Sequence, residues 1–462
     1  MDAKPIPFTP PAPKPRTRPP SLLQMLRIVY RNPLELWGEP SYNEPWISIR
    51  TGIGGPLVIA NDPGLIRHVL VDNARNYKMA RMRQLILRPI LQDGLLTAEG
   101  DVWKRSRKAM APVFTPRHIF SFAPSMLRTA ETFSRRYEGQ TRADIARDMT
   151  TLTYEILAET LFSGEIAGQA GSFDKQVDHL FETMGRVDPL DILGAPKWLP
   201  RINRIRGRKV LAFFRQLVAE TIEMRRQRMK REPNGAPNDF LTLLLRAEGP
   251  EGLSSEEIED NIITFIGAGH ETTARALGWT IYCLAEAPWE RELVEQEIDT
   301  VLAREPDPTR WLDAMPFTRA AFEEAMRLYP PAPSISREAI EDDSYRDLKI
   351  VKGAQIQVMP WTVHRHRKLW DNPDAFMPER FHPENREKLD RYQYLPFGAG
   401  PRICIGAGFA MQEAVIALAV LMSRFRFDTF GDQKPWPVQK LTTQPQGGLP
   451  MQVSRREGAS SR

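Results

Sequence analysis

The stretch from Ser254 to Pro288 limits the fold more than any other part of the chain. Ser254 with Glu257 three residues on is a capping-box start, and Pro288 stops the pattern after Ala287. Between Ile262 and Leu284 the residues are apolar on nearly every side, which marks a helix threaded through a core and covered by others. Yet the same stretch carries Gly267, Gly269, His270, Glu271, Thr272 and Thr273. Two glycines weaken a helix interior by about 1 kcal/mol each, and a buried carboxylate is costly unless it is paired or used. Two readings fit. Either the glycines let another helix approach while Glu271 lies on a polar edge, or the helix is distorted beside something flat and bulky. In the second case the Thr272 hydroxyl bonds the Ala268 carbonyl one turn earlier. For His270, a satisfied or partly exposed histidine is a simpler reading than a metal ligand.

Helical patterns dominate the rest of the chain: Arg117 to Arg136, Ile145 to Leu161, Arg208 to Arg231, Glu290 to Leu302 and Phe317 to Leu328. Strand patterns are short. Trp46 to Arg50 and Pro56 to Ile59 read as one hairpin through Gly52, Gly54 and Gly55, Leu348 to Val351 and Gln355 to Met359 as a second around Gly353, and a third turns at Gly447 and Gly448. There is no internal repeat and no splitting linker, so the 462 residues form one mostly α unit with small β-sheets. Residues 1–20 hold eight prolines with basic residues between them, an extended arm set apart from the core; 21–455 are the domain, and 456–462 a polar tail. No run approaches the roughly 18 consecutive apolar residues of a transmembrane helix, and none reads as a signal peptide. The balance of 63 basic and 58 acidic residues, +5 net, admits an acidic partner or an anionic surface but does not imply nucleic acid.

Only Cys283 and Cys404 are cysteines, too few for a disulfide framework, which points to a reducing, cytoplasmic setting. Cys283 falls on the apolar core helix and reads as packing. Cys404 is different. It ends the glycine-rich run Phe397-Gly398-Ala399-Gly400-Pro401-Arg402-Ile403-Cys404-Ile405-Gly406, just before a helical pattern from Ala407 to Leu421. Free N–H groups and the positive end of that helix stabilise a thiolate, so Cys404 is a candidate metal ligand. A catalytic thiol is the rival, but no His and Asn pair is identifiable for it.

Phe397, Gly400, Arg402, Cys404 and Gly406 together spell Phe-x-x-Gly-x-Arg-x-Cys-x-Gly, followed by Ala410 and Glu413. In this the chain resembles the cytochrome P450 family, whose haem loop has that pattern. Further matches follow the family's order: Trp103 and Arg107, Ala268-Gly269-His270-Glu271-Thr272-Thr273, Glu324 and Arg327, and Pro378-Glu379-Arg380-Phe381. The resemblance implies a long central helix over a buried haem b (iron protoporphyrin IX). Cys404 would be the axial thiolate, with Phe397, Ala268 and Gly406 against the cofactor. Trp103, Arg107, Arg402 and, after the Pro330 to Pro333 break, Arg337 would bond the propionates; a solvated surface arginine is the alternative for Arg337. Glu324, Arg327 and Arg380 would form a structural network behind the haem.

The implied activity is monooxygenation of a hydrophobic small molecule by O2, with Thr272 and Glu271 delivering protons on the oxygen side. No flavin or iron–sulfur signature is present, so electrons would come from a separate ferredoxin or flavodoxin-type donor with its reductase, met by Arg402, Lys104, Arg105 and Lys108. The expected substrate pocket lies among Met79 to Thr97, Phe181 to Leu199, Phe265, Ala268 and Ala332 to Ile335, with Trp198 and Leu199 at its lip. A monomer without a transmembrane anchor is expected. A peroxide-driven haem-thiolate enzyme and a non-enzymatic haem sensor or carrier are the alternatives; neither needs the Glu271 and Thr272 pair.

Overall fold

The computed structural model describes residues 5–49, 55–165, 202–233, 235–431 and 434–456. The core helix spans Ser255–Glu286 without a break. Its capping box closes in both directions: Glu257 N–H donates to Ser254 Oγ at 3.1 Å, and Ser254 N–H to Glu257 Oε2 at 2.9 Å. Pro288 is the first residue of the next helix, Pro288–Arg304, so its missing N–H ends one helix and costs the other nothing. Helix Ile145–Leu161 packs along the middle of the core helix. Gly269 permits this, because a Cβ there would overlap Leu157 Cδ1, and Thr153 Oγ1 reaches the His270 carbonyl at 3.0 Å. At Gly269 the helix-approach reading therefore holds, and the helix needs no distortion. His270 is buried, with Nδ1 on the Ile266 carbonyl, a satisfied histidine.

The helix after Cys404 runs Ala407–Arg424 and is buried throughout from Gln412 to Met422. Among the described residues it is the one helix long and apolar enough to cross a bilayer, yet it lies inside the protein. The run expected from Arg117 to Arg136 is two helices, Pro116–Ser121 and Ala123–Ser134. Pro124 cannot donate to the preceding turn, so the first helix stops before it.

A five-stranded sheet has the order β1-β2-β8-β5-β3, from Trp46–Ile49, Leu57–Ala60, Gln355–Val358, Ile335–Ala339 and Tyr77–Met79. The expected β1–β2 hairpin is present; Arg50 to Gly54 lie outside the described residues. The second expected hairpin is not formed. β7 (Leu348–Ile350) folds back on β6 (Asp343–Tyr345) through Arg346, at φ 51°, while β8 pairs parallel to β2 and antiparallel to β5. The apolar alternation of both strands was right, but β7 has β6 as its partner and β8 is flanked by β2 and β5. Gly447 and Gly448 do turn, at φ 80° and 90°, but they pass the chain between sheets: β11 (Thr443–Pro445) pairs with β10 (Pro437–Gln439), and β12 (Pro450–Arg455) with β4 (Arg142–Asp144) and β9 (Phe425–Thr429).

The proline-rich arm also departs from expectation, because it is docked on the body. Phe8 meets Tyr282 edge-on at 6.0 Å and accepts the Phe376 N–H at 2.8 Å, and the Pro11 carbonyl accepts the Tyr329 hydroxyl at 2.8 Å. Proline fixes the extended backbone in advance, so little entropy is lost when such a strap lies down.

Candidate active site

The cysteine loop owes its shape to Gly398 and Gly400, both at φ 72°. At Gly400 there is no room for a side chain either, since a Cβ would overlap the Leu70 carbonyl oxygen. The loop closes through Cys404 N–H to the Phe397 carbonyl at 2.9 Å and Ile403 N–H to the Gly400 carbonyl at 3.1 Å. Gly406 is the N-cap of the following helix. Burial among protein atoms pushes the Cys404 thiol up, while the Gly406 N–H and the Arg107 guanidinium pull the other way. The residue nonetheless keeps accessible surface, so Cys404 is enclosed by the fold but open on one side. Cys283, in contrast, is fully buried and its thiol is held well above the ordinary range by desolvation.

On the core helix the open stretch is short. Gly267, Ala268, Gly269 and Thr272 have accessible surface where the rest of the helix from Asp260 to Leu284 is buried, and Ala268 is exposed. Thr272 Oγ1 donates to the Ala268 carbonyl at 2.9 Å. One ring links this stretch to the cysteine loop: Phe114 stacks on Phe265 at 5.3 Å and its Cε1 lies 3.8 Å from where a Cβ on Gly406 would be.

Glu271 points elsewhere. It is buried, its Oε1 accepts the Thr442 hydroxyl at 2.7 Å and lies 3.7 Å from Arg275 Nη2, and its Oε2 has no partner among the described residues. One residue is about 100° on a helix, and here that step turns Glu271 to Thr442 while Thr272 stays on the open stretch. A second buried acid, Glu413 on the cysteine helix, faces the Thr273 hydroxyl, and burial holds its carboxyl well above the usual range.

The propionate candidates come together. Arg402 lies over the Trp103 ring at 4.9 Å and donates to Glu99 Oε2 at 2.6 Å and the Ala98 carbonyl at 2.8 Å. Arg107 donates to the Ile403 carbonyl at 2.9 Å. Arg337, on β5, is pulled down to about 10 by burial and by facing Arg83 and Arg402, with Glu99 opposing. It is no surface arginine. Arg83 was not anticipated: its stretch read as pocket lining, but its guanidinium donates to the Ser334 carbonyl at 2.9 Å and burial lowers its pKa. Its signal in the sequence was a second arginine two residues after Arg81 in an otherwise apolar run.

These residues fit a haem. Arg337, Arg83 and Arg402 bring guanidiniums together with one carboxylate, Glu99, and the excess of positive charge suits the two carboxylates of the cofactor. The lone sulfur is the donor type expected of a thiolate ligand, and it is held by glycines that admit close approach.

Behind the loop, Glu324 and Arg327 are fully buried and joined by a fork, Nε to Oε2 and Nη2 to Oε1, both 2.7 Å. Arg380 Nε lies 3.4 Å from Glu324 Oε1, which also accepts the Met377 N–H at 2.9 Å. Sequence patterns gave no notice of His364. Its Nδ1 bonds the Arg327 carbonyl at 3.2 Å and its Nε2 accepts the Leu395 N–H at 2.8 Å, tying the network to the segment that enters the cysteine loop. Burial pulls its pKa down to about 3, so the ring is neutral, Nδ1 donating and Nε2 accepting.

The family model for Cytochrome P450 matches residues 45–452. The chain is 30% identical to cyclooctatin synthase of Streptomyces melanosporofaciens, over 91% of this chain and 90% of that protein. It is 27% identical to the chloroplastic protein LUTEIN DEFICIENT 5 of Arabidopsis thaliana, over 84% and 67%. The crystal structure of a cytochrome P450 (CYP102L1) superposes with a TM-score of 0.79 at 25% identity, covering 97% of this chain and all of that one. Because the match runs through both halves of the site, from the Trp103 helix to the helix behind Cys404, the chain belongs to the cytochrome P450 family of haem-binding monooxygenases.

Proposed function

We propose that this protein hydroxylates a hydrophobic small molecule, using haem b held by Cys404 and electrons from a separate ferredoxin or flavodoxin-type donor. The observation that carries the reading is the open stretch at Ala268 and Thr272 in the otherwise buried middle of the core helix, one phenyl ring away from the cysteine loop. When bound, the haem supplies the activation of dioxygen and the transfer of one oxygen atom to a C–H bond. Overall, substrate, dioxygen, two electrons and two protons give alcohol and water.

The residues divide the work. Cys404 would hold the iron through sulfur, with the Gly406 N–H and Arg107 placed to offset the thiolate charge. Arg337, Arg402 and Trp103 hold the cofactor carboxylates, joined by Arg83, while Phe397 and Gly406 frame the loop. Thr272 Oγ1, which donates to the Ala268 carbonyl, is placed where it would turn its hydroxyl to the reacting oxygen and supply a proton. Glu271 is the proton source next in line, through the carboxylate oxygen not held by Thr442. Phe265, Ala268 and Ile335 give the pocket an apolar lining, which favours a fatty acid, terpenoid or aromatic substrate. Phe181 to Leu199, including the expected lip, lie outside the described residues.

The donor surface is revised. Arg402 turns inward to Glu99, Lys104 is tied to Asp101 at 3.0 Å and Arg105 to Glu257 at 2.7 Å. Exposed Lys108 supports an acidic donor, and a cleft of about 610 Å³ beside the cysteine loop adds Arg391, its other arginines being tied to acids, Arg386 to Glu323 and Arg319 to Asp313. Two cysteines, both free, support a reducing cytoplasm.

Turnover tests the reading. With a ferredoxin, its reductase, NADPH and a ligand that shifts the iron spin state, labelled dioxygen should deliver one labelled atom into the alcohol. Product with peroxide alone would favour the peroxide-driven enzyme, and no product with any such ligand would favour a sensor or carrier.

A further inference from the structure

Helix Leu22–Arg31 takes no part in the chemistry above, yet it is well formed. Ser21 Oγ accepts the Gln24 N–H at 3.4 Å, Gln24 Oε1 accepts the Ser21 N–H at 3.0 Å, and the Asn32 N–H closes the far end on the Ile28 carbonyl at 2.7 Å. Asn32 anchors it to the body, donating to the Pro437 carbonyl and accepting the Gln439 N–H, each at 3.0 Å. None of the helix's ten residues is buried.

Met25, Leu26, Ile28 and Val29 are half-buried, whereas Leu22, Leu23 and Tyr30 are 63%, 80% and 54% exposed. On a helix Leu23, Tyr30 and Arg27 fall within about 60° of one another, with Arg31 next to them. Large apolar groups and guanidiniums therefore share the outward face. The charge is one-sided: from Ala3 to Leu34 the chain has Lys4, Lys14, Arg16, Arg18, Arg27 and Arg31 and no Asp or Glu. Trp436, 37% exposed, stands 3.4 Å from Glu35, just past the helix.

We propose that this helix, with the basic proline-rich segment before it, docks the protein on an anionic lipid surface. Leu22 and Leu23 enter the acyl boundary, Arg27 and Arg31 reach lipid phosphates, and Tyr30 and Trp436 sit at headgroup depth. The helix lies along the surface, being far too short to span it. The docked side is linked to the core helix next to Thr272: Gln439, which bonds Asn32, pairs with Thr443, and the neighbouring Thr442 bonds Glu271. A membrane-dissolved apolar substrate would be taken up from that side.

The test is co-sedimentation of haem-loaded protein with vesicles of phosphatidylcholine alone or with phosphatidylglycerol added. Binding is expected for the phosphatidylglycerol vesicles, falling with salt and by roughly tenfold or more in Arg27→Glu/Arg31→Glu. Leu22→Ser/Leu23→Ser should abolish it while haem content and absorbance stay unchanged. Equal binding to both vesicle types, or undiminished binding by both variants, would overturn the proposal. So would a lipid-free dimer that the leucine variant disperses, because the face would then belong to a second copy.

Discussion

Replacing Arg327 with Leu is expected to destabilise the fold by about 3–5 kcal/mol, the cost of stranding one member of a buried ion pair. Glu324 would remain with no exposed surface and lose both arms of the fork. The damage extends further, because Arg327 uses every N–H it has: Nε and one Nη2 bond to Glu324, the others to the carbonyls of His364, Pro373 and Ala375 at 2.6, 2.7 and 2.9 Å. Its guanidinium also lies 5.0 Å from the Trp370 ring centroid. Lys keeps the charge but cannot form the fork, so Arg327→Lys should fall between. Urea unfolding with haem content measured alongside checks this. A loss below about 1 kcal/mol would mean that the network is solvated, contrary to its burial.

Thr272→Ala is expected to spare folding, haem content and substrate binding while lowering hydroxylated product on the order of 100-fold, the lower end of what a positioned proton donor contributes. Electrons and dioxygen should still be consumed and appear as peroxide. Structurally the change is small, since Thr272 is half-exposed and its hydroxyl bonds only a carbonyl of its own helix. Thr272→Ser should restore product. Unchanged coupling of electrons to product in Thr272→Ala would remove the hydroxyl from the mechanism.

What could be read in the sequence was local or tied to a fixed spacing. Ser254 and Glu257 announced a helix start that closes as a capping box, and Pro288 its end. The spacing of Phe397, Gly400, Arg402, Cys404 and Gly406 carried the site, and Gly400 turns out to be required both by its positive φ and by the Leu70 carbonyl. What was missed depends on distant partners. β7 and β8 have the alternation of a hairpin, but the choice of β6 for one and of β2 and β5 for the other is made elsewhere in the chain. Arg83 and His364 look unremarkable in sequence; their meaning comes from Arg337 and from Leu395. Glu271 read either as an acid on a polar edge or as a buried one beside a ligand; it is buried, and whether it faces Thr272 or Thr442 is set by the chain segment 171 residues later. The arm read as a separate extension because prolines signal extended backbone and carry no information about docking.

The central claim is that Cys404 binds haem iron as a thiolate. The most direct measurement is the absorption spectrum of the reduced, haem-loaded protein under carbon monoxide. The account predicts the strongly red-shifted Soret band of thiolate ligation, lost in Cys404→His. A Soret band of the imidazole-ligated type from folded wild-type protein would contradict it.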